Sequence, residues 1–282
     1  MATSVLPSEV GPATFRDCPA QPARLCNRPS PNEARSQLRL SVSGLCFSAM
    51  PSLKLEVWSD IACPWCYVGK RRLEAALKQF PHADQVELVW RAFELDPAAP
   101  AARNRDVSHV EFIARKYGMS VAQAQKSTDH LVQLAREEGL SFDFVNIRSG
   151  NTFDAHRLVH LGHERGVQDA VQERMMKAYF EQAELMSDHG TLVRLATEAG
   201  LDASEATDVL AGDTYAAAVR ADEAQARELG ITGVPCFVLD RQFAVSGAQS
   251  SQVMLSALSQ AWSERAPTAE FAEGAVCGPD GC

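Results

Sequence analysis

No run of roughly 18 apolar residues occurs anywhere in the 282 residues, which excludes a membrane-crossing helix. Positive charge is also scarce. Lysine and arginine total 27 against 36 acidic residues, a formal net charge of −9, whereas a nucleic-acid binder usually presents a basic patch. Internal repeats of 20–50 residues are missing, and no clean apolar core of a secretory signal stands near the N-terminus. What is present is ordinary for a soluble globular protein: 46% hydrophobic and 22% charged residues, enough chain for one large domain or two modest ones.

The eight cysteines are unevenly placed: Cys18, Cys26 and Cys46, then Cys63 and Cys66, then Cys236, then Cys277 and Cys282. A secreted disulfide scaffold would be shorter and would spread its cysteines through the core. Two close pairs instead suit redox chemistry or metal binding in a reducing compartment, so a cytoplasmic location is expected.

Residues 1–49 differ from the rest. They hold six prolines and five arginines against three acids, with no sustained periodicity. A disordered extension or a misassigned start is the expectation, with a targeting sequence as the alternative, and Cys18, Cys26 and Cys46 are left out of any mechanism. Beyond them, Leu53–Ser59 alternates apolar and polar residues as a strand does. Residues 63–80 follow as a helix with Pro64 in its first turn, where a missing N–H costs nothing, and Val86–Phe93 forms a second strand. Helical spacing then dominates: Val107–Tyr117, Ser120–Glu138 with Ser120 as N-cap, Thr152–Arg165, Gln168–Ser187, Gly190–Ala199 with Ser187 a weaker cap, Ala203–Leu210 and Asp213–Leu229. Strands Cys236–Asp240 and Gln242–Ser246 and a helix at Gln249–Ser263 close the pattern. The order is β-α-β, a large helical block, then β-β-α, an α/β fold.

The sharpest signal is Cys63-Pro64-Trp65-Cys66, placed after a strand and at the start of a helix. Two intervening residues let both sulfurs meet across the first turn. The helix N-terminus, with its unpaired N–H groups and positive dipole end, favours a thiolate on the first cysteine, and the thiolate is the nucleophile. The second, deeper thiol can then expel a captured partner. A bare C-x-x-C could also be half of a zinc site, shared with Cys277 and Cys282, or two inert buried thiols. Strand, helix and proline together favour the redox reading.

The stretch Trp58-Ser-Asp-Ile-Ala-Cys63-Pro-Trp-Cys66-Tyr-Val-Gly-Lys-Arg-Arg72 resembles DsbA-like proteins of the FrnE group. Asn151-Thr-Phe-Asp-Ala-His-Arg157 and Thr232-Gly-Val-Pro235 extend the resemblance over residues 53–263. It implies a thioredoxin-like fold (residues 50–100 and 230–265) interrupted by an all-helical domain (101–229) and followed by a tail (266–282). It further implies dithiol–disulfide exchange on protein thiols or glutathione, with Cys63 as nucleophile, Cys66 as resolving cysteine, and no bound cofactor or metal. Pro235 matches the family's cis-proline, and a cis bond after Val234 would offer the preceding backbone to a substrate chain. Val234, Pro235, Pro64 and Trp65 are therefore the expected substrate contacts. No imidazole stands between the two cysteines, so no strongly oxidising potential is expected.

Other candidates carry weaker signals. Cys277 and Cys282, with the turn-forming Pro279-Asp280-Gly281 between them, could form an auxiliary dithiol, as some FrnE-like proteins are similar in carrying a C-terminal pair. Cys236 is expected to be a buried structural thiol. His156, His160 and His163 recur at helical spacing, and their neighbours Arg157 and Glu164 suggest a solvated or interdomain surface rather than a metal face. The family motif places Asn151 and His156 at the interdomain cleft, Met175, Met176 and Met186 are expected in the core, and Asp60 could cap the helix or relay protons. Two other functions stay in view. One is a glutathione-dependent isomerase resembling 2-hydroxychromene-2-carboxylate isomerase, whose nucleophile position generally holds serine. The other is a redox-dead or zinc-regulated chaperone.

Overall fold

The computed structural model describes residues 52–104 and 106–265. The extension 1–49, the tail and the thiols Cys18, Cys26, Cys46, Cys277 and Cys282 lie outside them. A four-stranded sheet runs in the order β2-β1-β3-β4, from β1 (Leu53–Ser59), β2 (Val86–Ala92), β3 (Cys236–Leu239) and β4 (Phe243–Ser246). β2 lies parallel to β1, while β3 pairs antiparallel with both β1 and β4.

The alternation in β1 sorts its side chains between two faces. Leu53, Leu55 and Val57, together with Trp90 and Phe237 from the flanking strands, join one apolar cluster with α1 (Pro64–Leu77) and α9 (Ser251–Ser263). Trp58, Cys236 and Val238 face the other way and meet Ala226 of α8 (Ala216–Glu228). The indole of Trp58 donates to the Asp222 carbonyl on that helix at 2.9 Å. A three-residue reversal joins β3 to β4, with Asp240 and Arg241 both at positive φ (45° and 57°) and the Gln242 N–H donating to the Leu239 carbonyl at 2.9 Å.

Six further helices precede α8: α2 (His109–Tyr117), α3 (Val121–Glu137), α4 (Phe153–Glu164), α5 (Gln168–Glu181), α6 (His189–Glu198) and α7 (Ala203–Ala211). The first apolar cluster continues into them without a break, through Leu158, Val171, Met175, Met176, Phe180 and Met186. The three methionines thus fill the core as expected. Ser108 and Ser120 each close a capping box, with Glu111 and Gln123.

Several helix boundaries differ from the sequence expectation, and α1, expected to reach residue 80, ends at Leu77. The helix expected over 168–187 ends at Glu181, and Ala183 turns the chain at φ 53°. Leu185 and Met186 are nevertheless buried, so the apolar rhythm runs on through the turn and hides the end. Asp188, rather than Ser187, caps α6 through Thr191 N at 2.8 Å. The helix expected from Asp213 begins at Ala216, after Tyr215 at φ 63°.

Candidate active site

Cys63 is the N-cap of α1 and Pro64 its first residue. The Cys63 N–H donates to the Asp60 carbonyl at 3.1 Å, closing the turn out of β1, while the Cys66 N–H donates to the Cys63 carbonyl at 3.0 Å. The first cysteine therefore stands at the positive end of a 14-residue helix with no acidic side chain in its first turn. Its thiol lies 3.6 Å from the Val234 carbonyl, to which it can donate.

The Val234–Pro235 bond is cis. Pro235 packs against Gly69 of α1, where an added methyl would sit 3.0 Å from the proline ring and 3.2 Å from Phe237. Glycine at that position lets the loop lie close to the helix that bears both thiols. Trp65 is exposed (40%), and so is Leu95 (43%) just beyond β2. The cysteines are not: Cys63 is 3% and Cys66 1% accessible, and both are free thiols.

Burial, reinforced by the neighbouring Cys63 sulfur, pushes the Cys66 thiol well up; the Ser59 hydroxyl and the Asp60 backbone act in the opposite direction. Ser59 is itself held from the helical block, because Gln172 on α5 donates to its Oγ at 3.2 Å. Both side chains are buried. With that oxygen accepting from the amide, the hydroxyl hydrogen is free to point at the Cys66 sulfur.

The loop between strand and helix is anchored in the same way. Asp60 Oδ1 accepts from Ala62 N (3.1 Å) and Thr152 Oγ1 (3.0 Å), and Oδ2 accepts from Leu95 N (2.8 Å). His156 Nε2 stands 3.5 Å from Oδ1. Burial works against ionisation, but the imidazole and the two backbone N–H groups prevail and hold this carboxyl below the usual range. Asp60 is thus a buried bracket between the active-site loop and α4. Asn151 bonds Glu94 at 3.3 Å, and Glu94 accepts from Arg220 of α8.

A second tie lies one turn further along α1. Lys70 is 2% exposed, its ammonium facing Glu74 (2.5 Å), Asp169 (3.0 Å) and Glu173 (3.4 Å). Burial alone would depress its pKa, yet Asp169 and the two glutamates raise it, so Lys70 stays charged. A buried ammonium is tolerated only with such partners.

The histidine face divides between the two surfaces expected of it, interdomain for His156 and solvated for His163. His156 is buried against Asp60, and His160 lies 3.0 Å from Asp222; only His163 is exposed. Arg157, taken from sequence as a mark of a solvated or interdomain surface, is instead buried within the helical block, because its guanidinium serves carbonyls at the end of α7, Val209 and Gly212, together with Thr214 and Asp154. Cys236 also begins β3 buried, and burial pushes its thiol up to about 11. Ser59, Gln172, Gly69 and Lys70 were not singled out by sequence reasoning. Their only signal there was proximity to the Cys-Pro-Trp-Cys motif, and for Gln172 not even that.

A probable DsbA oxidoreductase from Streptomyces coelicolor is 48% identical, with a TM-score of 0.72, and the match covers 82% of this chain and 98% of that one. The uncharacterized protein YwbO of Bacillus subtilis is 27% identical over 210 residues, 74% of this chain and 96% of that protein. The cytosolic disulfide reductase DsbM from Pseudomonas aeruginosa, 17% identical, shares the fold with a TM-score of 0.52 over 74% of this chain and 98% of its own. The model of the DSBA-like thioredoxin domain matches residues 54–259, and the chain belongs to that family.

Proposed function

We propose that this protein is a thiol–disulfide oxidoreductase in which Cys63 captures the substrate and Cys66 releases it. The observation that carries the reading is the pairing of a sulfur at the N-cap of α1, 3.6 Å from the Val234 carbonyl, with a second sulfur one helical turn deeper. In the reductive direction the Cys63 thiolate attacks one sulfur of a substrate disulfide. A mixed disulfide forms and the other substrate sulfur leaves as a thiolate. The Cys66 thiolate then attacks Cys63, which expels the remaining substrate thiolate and leaves a Cys63–Cys66 disulfide, so two electrons have passed to the substrate. The proton shed by Cys66 is taken up by the departing thiolate. Run backwards, the same steps oxidise a substrate dithiol.

The substrates are protein thiols and disulfides, or glutathione. The exposed Trp65 and Leu95 supply apolar contact beside the sulfur, and the Val234 backbone offers main-chain pairing to an extended chain. No cofactor is required by this chemistry. Insulin reduction with dithiothreitol tests it. The unaltered chain should accelerate precipitation, Cys63→Ser should fall to the uncatalysed rate, and Cys66→Ser should accumulate a one-to-one mixed disulfide visible by intact mass. Undiminished activity of Cys63→Ser would overturn the assignment.

A further inference from the structure

A cavity of about 370 Å³ lies away from both thiols, between residues 100–104, residues 107–108, the start of α2 and the segment 145–149. That size holds a small organic ligand. Part of the lining is apolar, with Val107, Phe112, Ile147 and Leu185. The polar part is rich in donors, and among the described residues no carboxylate side chain lines it.

The arginines differ in their commitments. Arg103 pairs with Asp96 and lies over the Phe112 ring, 4.4 Å from its centre. Arg115 and Arg148 also line the cavity, and neither makes an ion pair or hydrogen bond with a described residue. Each feels one acid at longer range, Arg115 the carboxylate of Glu111 and Arg148 that of Asp188, and both carboxylates are also engaged in helix caps, on Ser108 and on Thr191 N. Ser149 Oγ accepts from the Tyr179 hydroxyl at 3.3 Å, which leaves its own hydrogen available. His109 adds a second irregularity. Its ring stacks on Phe144 at 4.6 Å, and its Nδ1 is buried without a hydrogen-bond partner among the described residues. Burial brings its pKa down to about 4, so at neutral pH it contributes no charge.

We propose that this cavity binds a small organic carboxylate with an apolar body, its carboxylate gripped by Arg115 and Arg148 and its body laid against Phe112 and Ile147. Guanidinium groups match a carboxylate in shape as well as charge, through two parallel N–H donors. An inorganic anion would satisfy the arginines but leave the apolar wall bare. A neutral apolar molecule would do the reverse. The carboxylate with a hydrophobic body uses both.

Isothermal titration calorimetry on the full chain tests this with benzoate, acetate, inorganic phosphate and benzyl alcohol. Benzoate should bind one to one, at least about tenfold tighter than the other three. Arg115→Ala and Arg148→Ala should each weaken it about tenfold, the usual scale for losing a hydrogen bond to a charged group. Ala102→Trp, a bulky change at an exposed lining position, should block binding while retaining both arginines. Circular dichroism establishes that each variant is folded, and Arg148→Lys, which keeps the charge but loses the fork, should retain part of the affinity. Benzoate that binds no tighter than acetate, or whose affinity both alanine variants leave unchanged, would overturn the proposal. The readout is independent of thiol exchange, so it stands or falls apart from the role of Cys63.

Discussion

Cys63 and Cys236 make a controlled pair. Both are almost inaccessible, at 3% and 5%, and they are separated in space by little more than the cis loop, since Val234 touches the first and Pro235 precedes the second in sequence. Their surroundings differ completely. Cys63 ends a loop and opens a helix, with a carbonyl beside its sulfur. Cys236 sits in a strand opposite Trp58, in a cluster with Ile231, Ala226 and Val238, and nothing polar offsets its burial. On the function proposed above, reactivity follows the local dipoles and hydrogen bonds at a sulfur rather than its exposure.

The largest effect that would break this comparison is on exchange itself. Cys63→Ser should abolish turnover in the insulin assay, whereas Cys236→Ala should leave the rate unchanged; equal losses would mean that the strand thiol takes part. Next comes the contribution of the helical block. Ser59→Ala or Gln172→Leu should slow resolution of the mixed disulfide about tenfold, the expected scale for a lost hydrogen bond to a thiolate, while the initial attack by Cys63 keeps its rate. Stopped-flow kinetics of the two steps separates them, and an equal slowing of both would assign the pair a purely structural role.

Smaller effects sharpen the contrast further. With its thiol pushed up to about 11 from an ordinary value of 9, Cys236 should resist iodoacetamide at pH 8 and react in step with pH up to about 11. The same shift has a sign for stability. The unfolded chain loses this proton first as pH rises past 9, so the folded state should lose about 2 kcal/mol between pH 9 and about 11. Urea unfolding across that window should show the decline, and Cys236→Ala should remove it. Smallest is Gly69→Ala. Its methyl would meet Pro235 at 3.0 Å, and the loop must yield by a few tenths of an ångström, at a cost of about 1 kcal/mol in thermal stability with a modest rise in KM for a peptide substrate.

Much of this was legible in the amino-acid order. The strand–motif–helix unit, expected over 53–80 and found over 53–77, the helical succession, the hairpin at 236–246 and the placement of Cys63, Cys66 and Pro235 follow from periodicity, proline and glycine placement, and a resemblance carried by three short motifs. What escaped is long-range. Nothing local to Gln172 announces that it lies against Ser59, more than a hundred residues away. Arg157 reads as a surface residue because charge usually is one, and only the carbonyls ending α7 explain its burial. The apolar rhythm of 168–187 conceals a turn, since a buried turn keeps its apolar residues. Side-chain pairing across the fold decides all three cases, and one-dimensional patterns do not carry it.

The bracket at Asp60 bears on how far the molecule could be simplified. Its carboxylate, the Ser59 hydroxyl and the Lys70 ammonium each find their partners on α4 or α5, so the strand and helix bearing the thiols are not self-sufficient. A version pared down to the sheet and its two flanking helices would strip three buried polar groups beside the two sulfurs of their partners from the helical block, leaving Lys70 only Glu74 and Asp60 only backbone N–H groups, and bare the face that Met175 and Phe180 now cover. The insertion is therefore a fixture of the fold rather than an accessory that could be cut away, and any miniature built on this scaffold would first have to replace those three side chains with apolar ones.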